Sequence, residues 1–252
     1  MEALIDADLI GYRCACTCEE DTTNTIVLSR VQELTERIIA NATADTFTLY
    51  LTGNNNFRKE INPEYKANRK GKPLPKWLDT CREFLVTEWG AKVTEGYEAD
   101  DALGIEQTDQ TIICSLDKDL LMIPGMHYNW VKEETKYISP EQGLKHFWTQ
   151  MIVGDTADNI FGIRGLGPVK AERALANVEG DSLEELDSNY YDIVKSLYND
   201  DLRLHVNGSC LWILRHESDI WLAPGSSVER TTRESIVASL KQTLLKPLVT
   251  MD

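Results

Sequence analysis

At 252 residues, 42% of them hydrophobic, the chain can bury a full core, as one large domain or as a main domain with a small helical appendage. Its 41 acidic against 26 basic residues leave a net charge of −15, so binding to a polyanion must rest on local basic patches rather than on overall charge. The chain has no 18-residue apolar run, and its first residues lack a signal peptide's basic start and apolar core. The expectation is therefore a cytosolic protein whose six cysteines are reduced and mostly buried. Cys14 and Cys18 stand at helical i, i+4 spacing, but no second Cys/His pair follows at zinc-ligand spacing.

In chain order, Ala3 to Ile5 reads as a buried strand ending at Asp6, with a helix continuing over Leu9 to Cys18. Leu28 to Ile39 has the period of an amphipathic helix, and Thr46 to Thr52 is the clearest strand by its β-branched and aromatic content. Further helices are predicted over Lys76 to Trp89 and Asp100 to Gln107, with strands at Ala91 to Val93 and Thr111 to Ser115. This βα alternation predicts an α/β fold with a parallel sheet, whose ligands gather beyond the carboxyl ends of the strands. Ser139-Pro-Glu-Gln opens a helix, and from there the chain reads as helical, placing a boundary near residue 139.

Four acidic groups fall at predicted element ends: Asp6 and Asp8; Glu98, Asp100 and Asp101; Asp117 and Asp119; Asp155 and Asp158. Any one of them could be an N-cap or a solvated turn. Four together would repel one another unless cations bind. Hard oxygen donors without accompanying Cys or His imply magnesium or manganese. The four histidines, at 127, 146, 205 and 216, fall in no recognisable ligand pair.

Asp155 and Asp158, read as sharing a helix face, lead into a glycine-rich hairpin. There Gly162, Gly165 and Gly167 let bare backbone approach a ligand, and Pro168 suits the first turn of a helix. A second feature is basic: Arg58 and Lys59, then Tyr65, Lys66, Arg69, Lys70 and Lys72, with Lys76 close behind. An aromatic ring beside cations can stack on a base while the cations hold a phosphate, although an exposed basic loop has the same composition.

Six blocks in this order and spacing resemble the flap endonuclease and polymerase-associated 5′ nuclease superfamily, and within it the 5′ to 3′ exonucleases of short-tailed phages. They are Ile5-Asp-Ala-Asp8, Phe57-Arg-Lys-Glu60, Pro63 to Lys70, Glu98-Ala-Asp-Asp101, Ser115-Leu-Asp-Lys-Asp119, and Gly154 to Asp158 with its hairpin. The resemblance implies a PIN-like core over residues 1–138 that carries an arch-like basic segment at about 54–80. It also implies a helical region over 139–252 with a helix-three-turn-helix element at about 154–176.

The implied activity is phosphodiester hydrolysis at DNA 5′ ends, nicks or flaps. It would use two Mg²⁺ ions, replaceable by Mn²⁺, and a K⁺ ion at the hairpin. Asp6, Glu98, Asp100 and Asp117 are then assigned to the first ion and Asp119, Asp155 and Asp158 to the second, with Asp101 serving either and Asp8 beside them. Lys66 and Arg69 are expected over the scissile phosphate, with Tyr65 stacked on a terminal base. Arg58, Lys59, Lys70, Lys72, Gly162, Gly165, Gly167 and Lys170 are expected to contact DNA. A monomer working with a replication polymerase or single-strand binding protein, away from membranes, completes the expectation.

One departure stands out: the family places another aspartate just after the second strand, where this chain has Gly53 followed by Asn54 to Asn56. Two rivals are a non-catalytic DNA-junction binder, which Gly53 favours, and a PIN-type ribonuclease.

Overall fold

The computed structural model describes residues 1–224 and 235–238. They divide into two compact units: Met1–Asn56 with Gly71–Ser139, and Phe57–Lys70 with the described residues from Pro140 onward.

The first unit holds one six-stranded sheet. Its strands are β1 (Glu2–Asp6), β2 (Thr46–Leu51), β3 (Lys92–Val93), β4 (Thr111–Cys114), β5 (Gly125–Asn129) and β6 (Glu134–Ile138), ordered β3-β2-β1-β4-β5-β6. The first five run parallel, and β6 returns antiparallel along β5. Ala3, Leu4 and Ile5 of β1 and all of β4 are buried, which is why these strands read as continuous apolar runs rather than alternating ones. The unit's helices are α1 (Ala7–Thr17), α2 (Thr25–Asn41), α4 (Leu78–Trp89) and α5 (Ala99–Glu106). On α2, Val27, Val31, Leu34 and Ile38 fall on one stripe that joins the core with Ile10 of α1 and Leu85 of α4.

The strand order reverses between β1 and β4. A crevice therefore opens at the carboxyl ends of these two strands, where the first turns of the following segments diverge. Asp6 ends β1 and Ser115 follows β4, so the fold delivers the first and third acidic groups to this crevice.

The second unit is built from α3 (Phe57–Ile61), α6 (Pro140–Val153), the short antiparallel pair β7 (Gly154–Asp155) and β8 (Ile160–Phe161), α7 (Pro168–Ala174), α8 (Leu183–Leu197) and α9 (Asp201–Leu211). Its core is aromatic: Phe147 and Trp148 are fully buried, and Phe147 meets Trp212 edge to face at 4.8 Å. Trp212 to Leu214 and Ile220 to Leu222 pack here as core.

Two expectations are corrected, and one strand escaped sequence reading. Residues 57–70 belong with the second unit rather than the first, because Arg58 and Asn68 bond to backbone carbonyls of that unit. Edge strand β6, exposed over its first four residues, carried no legible pattern. Asp155 and Asp158 do not share a helix face; they bracket a β-turn between β7 and β8. Gly154 ends α6 at φ 76°, where an added Cβ would lie 2.5 Å from the Ile160 carbonyl oxygen, and Asn159 closes the turn at φ 62°.

Candidate active site

At the crevice, Asp6 serves two elements. One oxygen accepts from the Leu9 amide at 3.3 Å and caps α1; the other accepts from the Ser115 hydroxyl at 2.8 Å and ties β1 to the segment after β4. Ser115 Oγ in turn accepts from the Asp117 amide at 3.0 Å, and Asp117 accepts from the Asp119 amide at 2.8 Å. The Asp6 and Asp117 carboxylates, the Ser115 hydroxyl and the Asp119 amide are thus strung along one hydrogen-bonded path. Burial, then the charges of Asp8 and Asp117, push the Asp6 carboxyl up to about 7 against the opposing effect of its own hydrogen bonds. Such an acid gains from a nearby cation.

Asp8 is compensated. It pairs with Arg82 of α4 and accepts from the Thr52 amide at 2.8 Å, while Arg82 also donates to the Thr52 carbonyl at 2.5 Å. Thr52 Oγ1 accepts from Ala99, which fixes the start of α5 beside the end of β2. There Glu98 and Asp101 form a reciprocal capping box, with the Glu98 amide donating to Asp101 at 2.9 Å. Asp101 is fully buried and caps the helix. Asp100 stands in the first turn beside it and is only half buried.

Gly53 owes its identity to packing. Its amide lies 3.3 Å from Thr94 Oγ1, and an added Cβ would come within 2.0 Å of the Thr94 carbonyl oxygen. No side chain fits at this position, where the resemblance led one to expect an aspartate. Among the described residues no three acidic, histidine or cysteine side chains converge closely enough to hold an ion. The donor set nonetheless suits a hard divalent cation in chemistry, being all oxygen and crowded enough to raise Asp6.

In the second unit the Asp155–Asp158 turn is bound to the basic segment. Asp158 accepts from Tyr65 Oη at 2.8 Å and from Arg69 at 2.6 Å, with Lys66 Nζ at 3.5 Å. Backbone contacts reinforce this: the Lys66 amide donates to the Asp158 carbonyl at 2.9 Å, and Asn68 donates to the Thr156 carbonyl at 2.8 Å. Asp155 accepts from the Ala157 amide at 2.8 Å.

Two expected DNA contacts are structural instead. The Tyr65 ring is buried and so closed to base stacking, and Arg58, 2% exposed, donates to the Cys210 and Trp212 carbonyls at 2.9 and 2.5 Å. Lys59, Lys70, Lys72 and Lys170 are exposed. In the hairpin, Gly162 packs against the Val153 backbone, so its close approach is internal, whereas Gly165, at φ 83°, and Gly167 face open space. Lys170 donates back to the Gly165 carbonyl at 2.8 Å. No helix-three-turn-helix element is established; β7 and β8 intervene before the seven-residue α7.

The positioning residues Ser115, Thr52 and Arg82 escape sequence reading. Ser115 alone carried a signal, lying inside the Ser115 to Asp119 block. All six cysteines are unpaired thiols, five of them buried, and no described helix is long and apolar enough to cross a membrane.

The family model described as the N-terminal resolvase-like domain of 5′-3′ exonucleases matches residues 2–148. The chain is 29% identical over 172 residues to the exonuclease of Escherichia phage T7, covering 63% of this chain and 55% of that protein. It is 30% identical over 145 residues to a 5′-3′ exonuclease of Mycoplasma pneumoniae, covering 45% of this chain and 47% of that one. Against DNA polymerase I of Borreliella burgdorferi it is 32% identical over 142 residues, 47% of this chain but 15% of the polymerase. The chain thus spans about half the length, or less, of these curated relatives. The bacteriophage T5 flap endonuclease crystallised with DNA and metal ions shares the fold at TM-score 0.56 and 16% identity, with 97% of each chain covered.

Proposed function

The chain belongs to the 5′-3′ exonuclease family, and from that premise we propose that it is a metal-dependent 5′ to 3′ deoxyribonuclease that also acts at 5′ flaps. The observation carrying this reading is the end of β1, where Asp6 is buried, hydrogen-bonded to Ser115 and faced by the like charges of Asp8 and Asp117.

Asp6, Glu98, Asp100 and Asp117 would hold a divalent ion, Mg²⁺ or Mn²⁺. That ion, when bound, supplies acidification of a water and neutralisation of developing phosphoryl charge. Ser115 keeps the Asp6 carboxylate aimed across the crevice. The capping box holds the first turn of α5, and with it Glu98 and Asp100, in register. Arg82 and Thr52 hold Asp8 away from this work. The fuller form of the reading has two ions per centre, Lys66 and Arg69 as cations that meet the phosphate, and Gly165 and Gly167 with Lys170 offering contacts to duplex backbone. A K⁺ ion at that hairpin, a role in phage DNA replication or degradation, a replication polymerase or single-strand binding partner, and a monomeric working state belong to the same proposal.

The test is a panel of 5′-labelled duplex, nicked duplex, flap and matched RNA substrates, each with Mg²⁺ or EDTA. Metal-dependent release from DNA 5′ ends is expected, and manganese titration should saturate at two ions per chain. DNA binding without cleavage would favour the junction-binder reading to which Gly53 lends support. Preference for RNA would favour the ribonuclease.

A further inference from the structure

The least expected feature of the second unit is where its cations point. Lys66 and Arg69, the two residues proposed to meet a phosphate, both sit on one carboxylate. Arg69 offers its guanidinium fork to Asp158 Oδ1 at 2.6 Å, and Lys66 stands 3.5 Å from Oδ2, which also receives the buried Tyr65 hydroxyl at 2.8 Å.

Asp155, three residues earlier in the same turn, faces no cation among the described residues and accepts only from a backbone amide of its own turn. The contrast is one of design. One acid of the pair is saturated by an arginine, a lysine and a tyrosine; the other is not.

We propose that Asp158 acts as a stand-in for substrate phosphate, holding Lys66 and Arg69 closed in the free chain, and that a DNA phosphate displaces it from these two cations on binding. This rests on the nuclease reading above.

Three observations carry it. First, a guanidinium and an ammonium recognise carboxylate and phosphate oxygens by the same geometry, so one group can replace the other without moving the cations far. Second, the pair is open to water on the arginine side, Arg69 being 54% exposed against 17% for Asp158, which weakens it. Third, the segment is anchored independently of the ion pairs. The Lys66 amide donates to the Asp158 carbonyl at 2.9 Å, Asn68 to the Thr156 carbonyl at 2.8 Å, Arg69 Nε to the Ala157 carbonyl at 3.2 Å, and Asn159 Nδ2 to the Glu64 carbonyl at 2.8 Å. These bonds keep the cations presented while their side chains change partner. Lys66 itself is held at φ 56°, a left-handed conformation that its backbone bond to Asp158 maintains.

The consequence is autoinhibition tuned by competition: Asp158 weakens DNA binding to the same two cations that it pre-positions. The test is equilibrium binding of a fluorescent 5′-phosphorylated duplex in EDTA, where no cleavage occurs. It would use the wild type, Asp158→Asn, Asp155→Asn, Lys66→Ala/Arg69→Ala, and the last combined with Asp158→Asn. Asp158→Asn should tighten binding about fivefold to tenfold. Asp155→Asn, which removes the same charge three residues away, should change it by less than about twofold, and the gain should vanish without the two cations.

Equal tightening by both asparagine variants, or an undiminished gain in the triple variant, would reduce the effect to bulk charge and overturn the inference. Hydrogen exchange of DNA-free protein gives a second reading: because backbone bonds hold the segment, amides of residues 66–70 should exchange alike in wild type, Asp158→Asn and Asp155→Asn. Markedly faster exchange in Asp158→Asn would mean that the ion pairs hold the segment itself, and also overturns it. If none of the five proteins binds DNA, the nuclease reading itself fails, whereas normal binding without the Asp158→Asn gain defeats only the competition.

Discussion

The acids at the carboxyl ends of β1 and β4 and the acid in the turn after α6 are the same chemical group under opposite conditions. Asp6 is buried with acidic neighbours, bonded only to a hydroxyl and an amide, and is pushed up to about 7. Asp158 is met by two cations and a phenol. Within the first unit Asp8 repeats the second condition, since Arg82 neutralises it two residues from Asp6. A carboxylate left without a countercharge gains from a nearby cation. One already paired must give up its partner before it takes another.

The largest effect should come from removing an acid of the proposed metal site. Asp100→Ala is expected to lower single-turnover cleavage by several orders of magnitude while duplex binding persists, because activation of water and charge stabilisation fail together. A normal rate would dissolve the distinction between the two acid groups.

Introducing the aspartate that the resemblance led one to expect should fail. Gly53→Asp places a Cβ within 2.0 Å of the Thr94 carbonyl oxygen, so denaturant unfolding should show a loss of at least about 2 kcal/mol with no gain in metal affinity. Wild-type stability with tighter manganese binding would mean that this strand end readily yields.

The comparison is sharpest in the signs of two conservative changes measured without metal at pH 8. Asp6→Asn should stabilise the chain, since it deletes a buried charge faced by like charge, and Asp158→Asn should destabilise it, since it deletes a charge met by two cations and a phenol. The pH dependence follows from the raised group. Between its ordinary 3.8 and about 7, the native chain keeps a proton on Asp6 that the unfolded chain has released. That contribution to stability therefore falls as pH rises through the window and is level above it. Thermal melts in EDTA from pH 4 to 8 should show the decline in wild type and flatten in Asp6→Asn. The smallest effect is expected from Tyr65→Phe, which removes one hydroxyl bond to Asp158 and should cost about 1 kcal/mol in urea. A loss near zero would mean that the two cations alone secure the carboxylate.

Strand and helix alternation, the metal-suited acids at element ends and the glycine turn were all legible in the chain, because each rests on local spacing. Ala3 to Ile5 declared a buried strand, and Asp6 stood where such a strand ends. What the spacing left open was which acid would find a cation. Arg82 lies 74 residues from Asp8, and Tyr65 lies 93 from Asp158, so neither pairing has a local signature. Arg58 shows the same limit: in sequence it is one basic residue in a basic run, yet it is buried and spans 152 residues to reach the Cys210 carbonyl.

By itself, then, the sequence determined the kind of chemistry available: oxygen donors, loose cations and open glycines in a βα frame. Residue types and short-range periods are enough to specify these. Only the tertiary structure decided their states. Whether a carboxylate is an empty ligand, a helix cap like Asp101 or half of an ion pair depends on burial and on partners brought in from far along the chain. Those are properties of packing in three dimensions, where a few ångströms of separation and the exclusion of water set the strength of every charge.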